Sequence, residues 1–176
     1  MANPQVLILM GSDSDLPVMG EACKELEKFG VGFEIHVSSA HRTPEKTEKL
    51  VKGAEARGIK VLICAAGGAA HLAGVAAAQT ILPVLAVPIQ SSSLAGADSL
   101  FSMVQMPQGI PVGCLAIGKG GAANAGILAA EIIALGDAAL SAKLKEFKMD
   151  MASKVEKKDA ELQSKGYRAY IDGMKA

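Results

Sequence analysis

The sequence predicts an α/β protein in which a parallel sheet lies between two layers of helices. Five short apolar runs recur along the chain, most are followed by a glycine- or serine-rich loop, and each leads into a segment with helical character. Strands and helices that alternate in this way form parallel sheets with helices on both faces. The 176 residues are enough for one domain with a substantial core.

The first two strand–helix units have distinct signatures. Residues 6–10 are continuously apolar, as in a strand that is covered on both faces, and a helical pattern follows them. Residues 33–37 alternate apolar with polar side chains, which predicts a strand near a sheet edge. Thr43 and Pro44 indicate a helix start, because a capping hydroxyl precedes proline at the first helical position. We expect that helix to run to Gly58.

The remaining units complete the sheet. Further strands and helices are expected, in chain order, at residues 61–64, 71–80, 84–87, 98–106, 112–117 and 122–135. The expected architecture is a single-domain, three-layer parallel sheet with strand order 2-1-3-4-5, as in flavodoxin-like folds. Residues 1–136 form this α/β domain. Residues 137–176 are increasingly charged and are predicted to add a C-terminal helical extension to the same domain.

Composition and charge argue against several classes of protein. The 18 basic and 18 acidic residues give a formal net charge of zero, whereas a nucleic-acid partner would require a basic face. No apolar run approaches the ~20 residues of a membrane span, and the first four residues lack a signal-peptide pattern. The three cysteines are scattered, as in proteins of a reducing compartment. We therefore expect a cytoplasmic protein without nucleic-acid or membrane partners.

The loops after the first three strands are expected to converge on a ligand. In open parallel sheets, ligands bind beyond the carboxyl ends of the strands, where neighbouring crossovers go to opposite faces. The first loop, residues 11–15, reads Gly-Ser-Asp-Ser-Asp. Its hydroxyls donate hydrogen bonds, and the next helix offers free N–H groups to an anion. Helix capping by Ser14 or Asp15 explains one of these side chains but not three in succession, so we favour a ligand site.

The second loop, residues 38–44, combines an anion-binding group with a proton-transfer group. Arg42 suits a phosphate through bidentate hydrogen bonds, and the adjacent His41 belongs to the residue type whose unperturbed pKa lies nearest neutrality. A solvated loop in which Thr43 caps the helix explains these residues about equally well.

The third loop, residues 67–71, reads Gly-Gly-Ala-Ala-His and leaves backbone amides open to a small ligand. By itself this signal is weak, because a Gly-Gly turn before a packed helix is common. His71 stands at the helix mouth. His36, in the middle of the second strand, is interpreted as structural.

Together these segments resemble the family of N5-carboxyaminoimidazole ribonucleotide mutase, an enzyme of de novo purine biosynthesis. The resemblance covers residues 5–135 and includes Ser-Ala-His-Arg-Thr-Pro, Ala-Gly-Gly-Ala-Ala-His-Leu and the run 97–112. A related form carboxylates aminoimidazole ribonucleotide directly with CO2 and typically has Gly-Arg-Ser-Asn in the third loop and His-Lys in the second. This chain resembles the mutase form in both loops. Ala65 and Ala73 depart from the family at a frequent glycine and a common proline.

The resemblance implies a reaction and a set of site residues. A carboxylate would move from the exocyclic nitrogen of the substrate to a ring carbon, giving 4-carboxy-5-aminoimidazole ribonucleotide, with no metal or cofactor. His41 would be the catalytic acid and base. The implied substrate-binding residues are Ser12, Ser14, Ser39 and Arg42 near the phosphate, Asp15 at the ribose, Gly68 and His71 at the base and carboxylate, and also Leu72.

Two alternatives remain beside the mutase. One is the direct CO2-dependent carboxylase of the same family. The other is a flavodoxin-like module that binds a mononucleotide without catalysis; it predicts aromatic side chains flanking a flavin. With two Tyr, four Phe and no Trp, none of them in these loops, the sequence disfavours the module.

The helices predicted at 71–80 and 122–135 are apolar on nearly every side, which predicts that a neighbouring subunit covers them. We expect a homo-oligomer larger than a dimer, and the family resemblance implies an octamer. Ala129 and Ala130 are candidate positions on the side that faces a neighbour.

Overall fold

A computed structural model describes residues 3–91 and 93–174 of the chain. Its strands are β1 (Val6–Met10), β2 (Phe33–Val37), β3 (Val61–Gly67), β4 (Val84–Ile89) and β5 (Gly113–Cys114). They form one parallel sheet in the order β2-β1-β3-β4-β5, which confirms the predicted topology and places β2 at an edge.

Helices lie on both faces of this sheet. Over the same residues they are α1 (Leu16–Phe29), α2 (Pro44–Lys52), α3 (Leu72–Ala77), α4 (Ala97–Val104), α5 (Lys119–Ala134), α6 (Ala138–Lys165) and α7 (Tyr167–Gly173). Val6 and Ile8 of β1 belong to a core shared with α1, α5 and α6, whereas Leu7 and Leu9 belong to a second core shared with α3. Both sets of side chains are fully buried, which explains why β1 is apolar at every position.

Helices α1 and α5 approach each other closely because small residues lie between them. A Cβ atom on Gly126 would lie 2.7 Å from the carbonyl oxygen of Ala22, so only glycine fits there without a shift of backbone. Ala129 and Ala130 are also completely buried inside the same chain. The expectation that their side of α5 faces a neighbouring subunit is therefore wrong, since the chain's own core covers it.

Several element boundaries differ from the prediction. Helix α2 ends at Lys52 and not at Gly58, because Gly53 interrupts it and a short 3-10 turn, Glu55–Arg57, carries the chain onward. Strand β5 has only two residues of the six expected; beyond it, Leu115 N–H still donates to Ala86 O (2.9 Å) at this irregular edge. The helix after the third strand is shorter than predicted and covers six residues.

The C-terminal region is helical, as predicted. Asp137 begins α6 by accepting a hydrogen bond from Leu140 N–H (3.0 Å) on its side chain. Leu140 and Leu144 are buried, and Phe147 meets Phe29 edge-on with ring centroids 5.4 Å apart. The first half of α6 is thus part of the core, while the division of the chain at residue 136 stays a prediction. No helix of the described residues is long and apolar enough to cross a membrane.

Candidate active site

The strands β1, β2 and β3 end at the same edge of the sheet, where β3 runs two residues further than its neighbours, to Gly67. Met10 pairs with Val37 on one side and with Ala65 on the other. Hydrogen bonds continue this alignment into the loops, since Gly11 N–H donates to Ala65 O (3.0 Å) and Ser38 N–H donates to Met10 O (2.7 Å). The first, second and third loops therefore start side by side.

The first loop forms a capping box. Ser12 Oγ accepts a hydrogen bond from Ser14 N–H (3.3 Å), while the Asp15 carboxylate accepts one from Ser12 N–H (3.2 Å). Ser14 Oγ donates to Ser12 Oγ (2.9 Å). The capping role that the sequence suggested for Ser14 or Asp15 thus belongs to Ser12, at a short 3-10 turn that precedes α1.

Asp15 is the buried carboxylate of the site. Burial raises the pKa of its carboxyl, and hydrogen bonds from Ser12 N–H and Ser14 Oγ act in the opposite direction. The side chain is only 6% exposed, yet it lines the cavity described below. Such a carboxylate is suited to accept hydrogen bonds from the hydroxyls of a ligand.

The second loop is a closed turn held by side chains. Ser39 N–H donates to Thr43 Oγ1 (2.9 Å), and Thr43 Oγ1 donates to Ser39 O (3.1 Å). Arg42 N–H donates to Ser39 Oγ (3.2 Å). Thr43 does start α2, but its hydroxyl makes these bonds and does not cap the helix as predicted. Below the turn, the buried hydroxyls of Ser38 and Thr47 hydrogen-bond each other at 2.8 Å.

Arg42 joins the second loop to the first. Its Nη2 donates to Gly11 O at 2.8 Å, across 31 positions of sequence. The guanidinium has five N–H donors, and this contact occupies one nitrogen. Because the side chain is exposed and lines the cavity, the remaining donors can reach an anionic ligand.

His41 and His71 are in direct contact. His41 Nε2 and His71 Nδ1 lie 2.8 Å apart, a hydrogen-bond distance, and the two rings meet edge-on with centroids 4.9 Å apart. In such a bond one ring donates its N–H and the other accepts it. The second and third loops thus bring two imidazoles together at the edge of the sheet, and both face the cavity.

At Gly68, the third loop lines the cavity with backbone atoms rather than with a large side chain. Gly68 has a φ of +66°, a conformation that glycine adopts without strain. A Cβ atom at this position would have no described atom within 4 Å, so the space beside Gly68 is open. This space adjoins His71 and the apolar side chains of Ala69 and Leu72.

A cavity of about 730 Å³ lies over these loops, within the usual range for small-molecule sites. It is lined by all nine residues that the sequence analysis selected, namely Ser12, Ser14, Asp15, Ser39, His41, Arg42, Gly68, His71 and Leu72. Their individual roles stay predictions.

A fourth loop also lines the cavity and was not expected to. Gln90 and Ser91 follow β4, the neighbour of β3, and Ile89 closes the same wall. The serine run at residues 91–93 and its place after a strand end were visible in the sequence, whereas nothing in the local pattern selected Gln90. Ser92 lies outside the described residues.

The other reactive side chains lie elsewhere. Burial raises the pKa of the Cys64 thiol to about 12 and also raises that of Cys23 and Cys114, so none is a ready nucleophile. His36 is a half-exposed residue of the edge strand, 3.6 Å from a carboxylate oxygen of Glu34. Within residues 3–91 and 93–174, no three His, Cys, Asp or Glu side chains are grouped as a metal site.

Comparisons with known proteins agree on one family. The sequence model of AIR carboxylase matches residues 5–154. N5-carboxyaminoimidazole ribonucleotide mutase of Thermotoga maritima is 51% identical over 169 residues, which cover 96% of this chain and 98% of that protein. Phosphoribosylaminoimidazole carboxylase of Candida glabrata is 49% identical over 169 residues, covering 96% of this chain and 29% of that protein. The crystal structure of Treponema denticola PurE has a TM-score of 0.83 at 34% identity, covering 90% of this chain and 98% of that one.

Proposed function

The chain belongs to the AIR carboxylase family, and we propose that it converts N5-carboxyaminoimidazole ribonucleotide into 4-carboxy-5-aminoimidazole ribonucleotide in de novo purine biosynthesis. One observation carries the mechanism: His41, in hydrogen-bond contact with His71, faces a cavity whose adjoining wall is the open backbone at Gly68. An enzyme of this kind is an isomerase that shifts a carboxylate within one substrate.

The first half of the reaction needs an acid. His41, protonated, gives its proton to the exocyclic nitrogen that bears the carboxylate. The C–N bond then breaks, its electron pair stays on nitrogen, and CO2 and aminoimidazole ribonucleotide remain in the cavity. His41 is now neutral.

The second half needs a base. The electron-rich ring carbon attacks CO2 and forms the new C–C bond, after which the proton on that carbon must leave. Neutral His41 accepts it and regains its starting charge, so one histidine completes the cycle with no net change of protons. His71 orients His41 through the hydrogen bond between His71 Nδ1 and His41 Nε2.

CO2 must stay in the cavity between these halves. The wall formed by Gly68, Ala69 and Leu72 has few polar side-chain atoms, and two of its three residues have small side chains or none. Such a wall suits a small neutral molecule. At the other end, Ser12, Ser14, Ser39 and Arg42 bind the phosphate, and Asp15 accepts hydrogen bonds from the ribose hydroxyls. With the phosphate and ribose bound at that end, the imidazole ring of the substrate would lie next to His41.

The mutase and the direct carboxylase differ in the substrate that they accept. The pure protein is given N5-carboxyaminoimidazole ribonucleotide in one assay and aminoimidazole ribonucleotide with bicarbonate in another. We expect the first to give the 4-carboxy product at a rate that added bicarbonate does not change, and the second to be slower by an order of magnitude or more. Rapid carboxylation in the second assay would instead identify the direct carboxylase, the activity that the name of the Candida glabrata relative suggests.

We further propose that the chain works as a cytoplasmic homo-octamer. Large apolar side chains are exposed on and near α4, including Leu94, Phe101 and Val104, and Ile81 is 92% exposed. A neighbouring copy that covers them would remove this surface from water. Sedimentation at micromolar concentration should show an assembly larger than a dimer, which Phe101→Lys reduces in size. A monomer with full activity would contradict the proposal.

A further inference from the structure

We propose that the side-chain amide of Gln90 binds the migrating carboxylate and retains CO2 between the two halves of the reaction, because the fourth loop places Gln90 beside Gly68 at the cavity wall. The inference rests on the proposed function. It gives a role to a loop that the mechanism above does not use.

The strand register places Gln90 at the CO2 end of the cavity. Ile89 pairs with Gly67, so Gln90 is the first residue beyond the sheet on β4, as Gly68 is on β3. In the strand order, β1 and β2 lie on the opposite side of β3 from β4. With neighbouring strands roughly 4.8 Å apart, the fourth loop lies roughly 10 Å from the first loop. It therefore flanks the third loop on the side away from the proposed phosphate.

The start of α4 holds the backbone of Gln90 in place. The fully buried Ser99 donates its hydroxyl to Ile89 O (2.9 Å), one residue before Gln90. Ser91 Oγ donates to Asp98 Oδ1 (2.8 Å), one residue after it. Gly96 packs directly behind, since a Cβ atom there would lie 3.2 Å from the Cα of Gln90. A side chain on such a fixed backbone can position a ligand group.

A neutral amide suits a carboxylate that must be lost and regained. A cation at this point would bind the carboxylate far more strongly than neutral CO2, which stabilises the ground state and raises the barrier to decarboxylation. An amide N–H makes a weaker hydrogen bond to the carboxylate and can still contact an oxygen of CO2. Of the two polar side chains by which the described part of this loop lines the cavity, Ser91 already donates its hydroxyl to Asp98, and Gln90 is the other donor.

The test compares two products of N5-carboxyaminoimidazole ribonucleotide. Wild type and the variants Gln90→Leu and Gln90→Glu are assayed for the 4-carboxy product and for released aminoimidazole ribonucleotide, after subtraction of the rate without enzyme. We expect Gln90→Leu to lower kcat/KM by about tenfold, the effect of one lost hydrogen bond, and to raise the released fraction several-fold. Gln90→Glu should raise KM further, since its carboxylate repels that of the substrate.

Gln163→Leu on the exposed face of α6 is the matched control and should behave as wild type. Thermal unfolding of each variant checks the fold, and Gln90→Glu, which is nearly isosteric, keeps the test valid if Gln90→Leu is unstable. An unchanged kcat/KM and released fraction in folded Gln90 variants, with an active wild type, would overturn the inference and leave the proposed function intact. A wild type that makes no 4-carboxy product would overturn the proposed function itself.

Discussion

His41→Asn should abolish turnover, with a loss in kcat of about 10²- to 10⁴-fold, while the affinity for substrate changes by less than about tenfold. Asparagine has no group that gives and takes a proton near neutral pH, whereas both halves of the reaction require one. Because His41 is exposed and contacts His71 through its ring, the substitution leaves the core untouched. Steady-state kinetics and calorimetric titration with substrate measure the two effects separately.

His36→Asn is the matched control for this experiment. His36 lies in the edge strand β2, and it does not line the cavity. Its replacement should leave kcat within about twofold of wild type, although it can alter stability slightly. Near-normal turnover by His41→Asn would remove His41 from the mechanism, and an equal loss in both variants would indicate a nonspecific effect.

Arg42→Ala should weaken binding of the phosphorylated substrate by roughly 2 kcal/mol or more, about 30-fold, because a charge-assisted contact to the phosphate is lost. Arg42→Lys should lose less, since it keeps the charge but not the planar pair of donors. Dissociation constants are measured by calorimetry for the ribonucleotide and for its dephosphorylated nucleoside.

Comparing the affinities for the ribonucleotide and the nucleoside distinguishes a lost phosphate contact from a disturbed first loop. Arg42 also donates to Gly11 O, so its removal could disturb the first loop in addition. A lost phosphate contact weakens only the ribonucleotide, whereas a disturbed loop weakens both ligands. Arg168→Ala, on the exposed α7, should change neither affinity. Equal wild-type affinities for ribonucleotide and nucleoside would show that this cavity has no phosphate site.

The sheet could be predicted from the sequence because its burial leaves a direct signature. Strands covered on both faces, such as Val6–Met10, must be apolar throughout. The helical segment between each pair of successive strands indicates that the strands run parallel. For helix α5, in contrast, the sequence pattern did not show which side is buried. It is apolar around nearly its whole circumference, so no periodicity tells which side meets the chain's own core, and the candidate interface position Ala129 lies in that core. Boundaries such as Lys52 depend on where α-helical hydrogen bonding gives way to the 3-10 turn Glu55–Arg57, which periodicity does not contain.

The sequence predicted which residues lie around the candidate site only to the extent that it predicted where the strands end. Loops that follow adjacent parallel strands must meet, so Ser12, His41 and His71 could be placed around one cavity before any geometry was known. The bond between His41 and His71 depends on side-chain directions across two loops, which no sequence pattern contains. Gln90 was missed for a related reason: its position depends on the register of β3 with β4.

The most direct test of the proposed mechanism follows the carboxylate carbon itself. N5-carboxyaminoimidazole ribonucleotide labelled with ¹³C in its carboxylate is converted by the pure protein in unlabelled bicarbonate, and the product is analysed by mass spectrometry. If CO2 remains in the cavity beside His41 and Gly68, most of the 4-carboxy product carries the label at every bicarbonate concentration. A product that carries unlabelled carbon in proportion to the bicarbonate supplied would contradict transfer within the cavity.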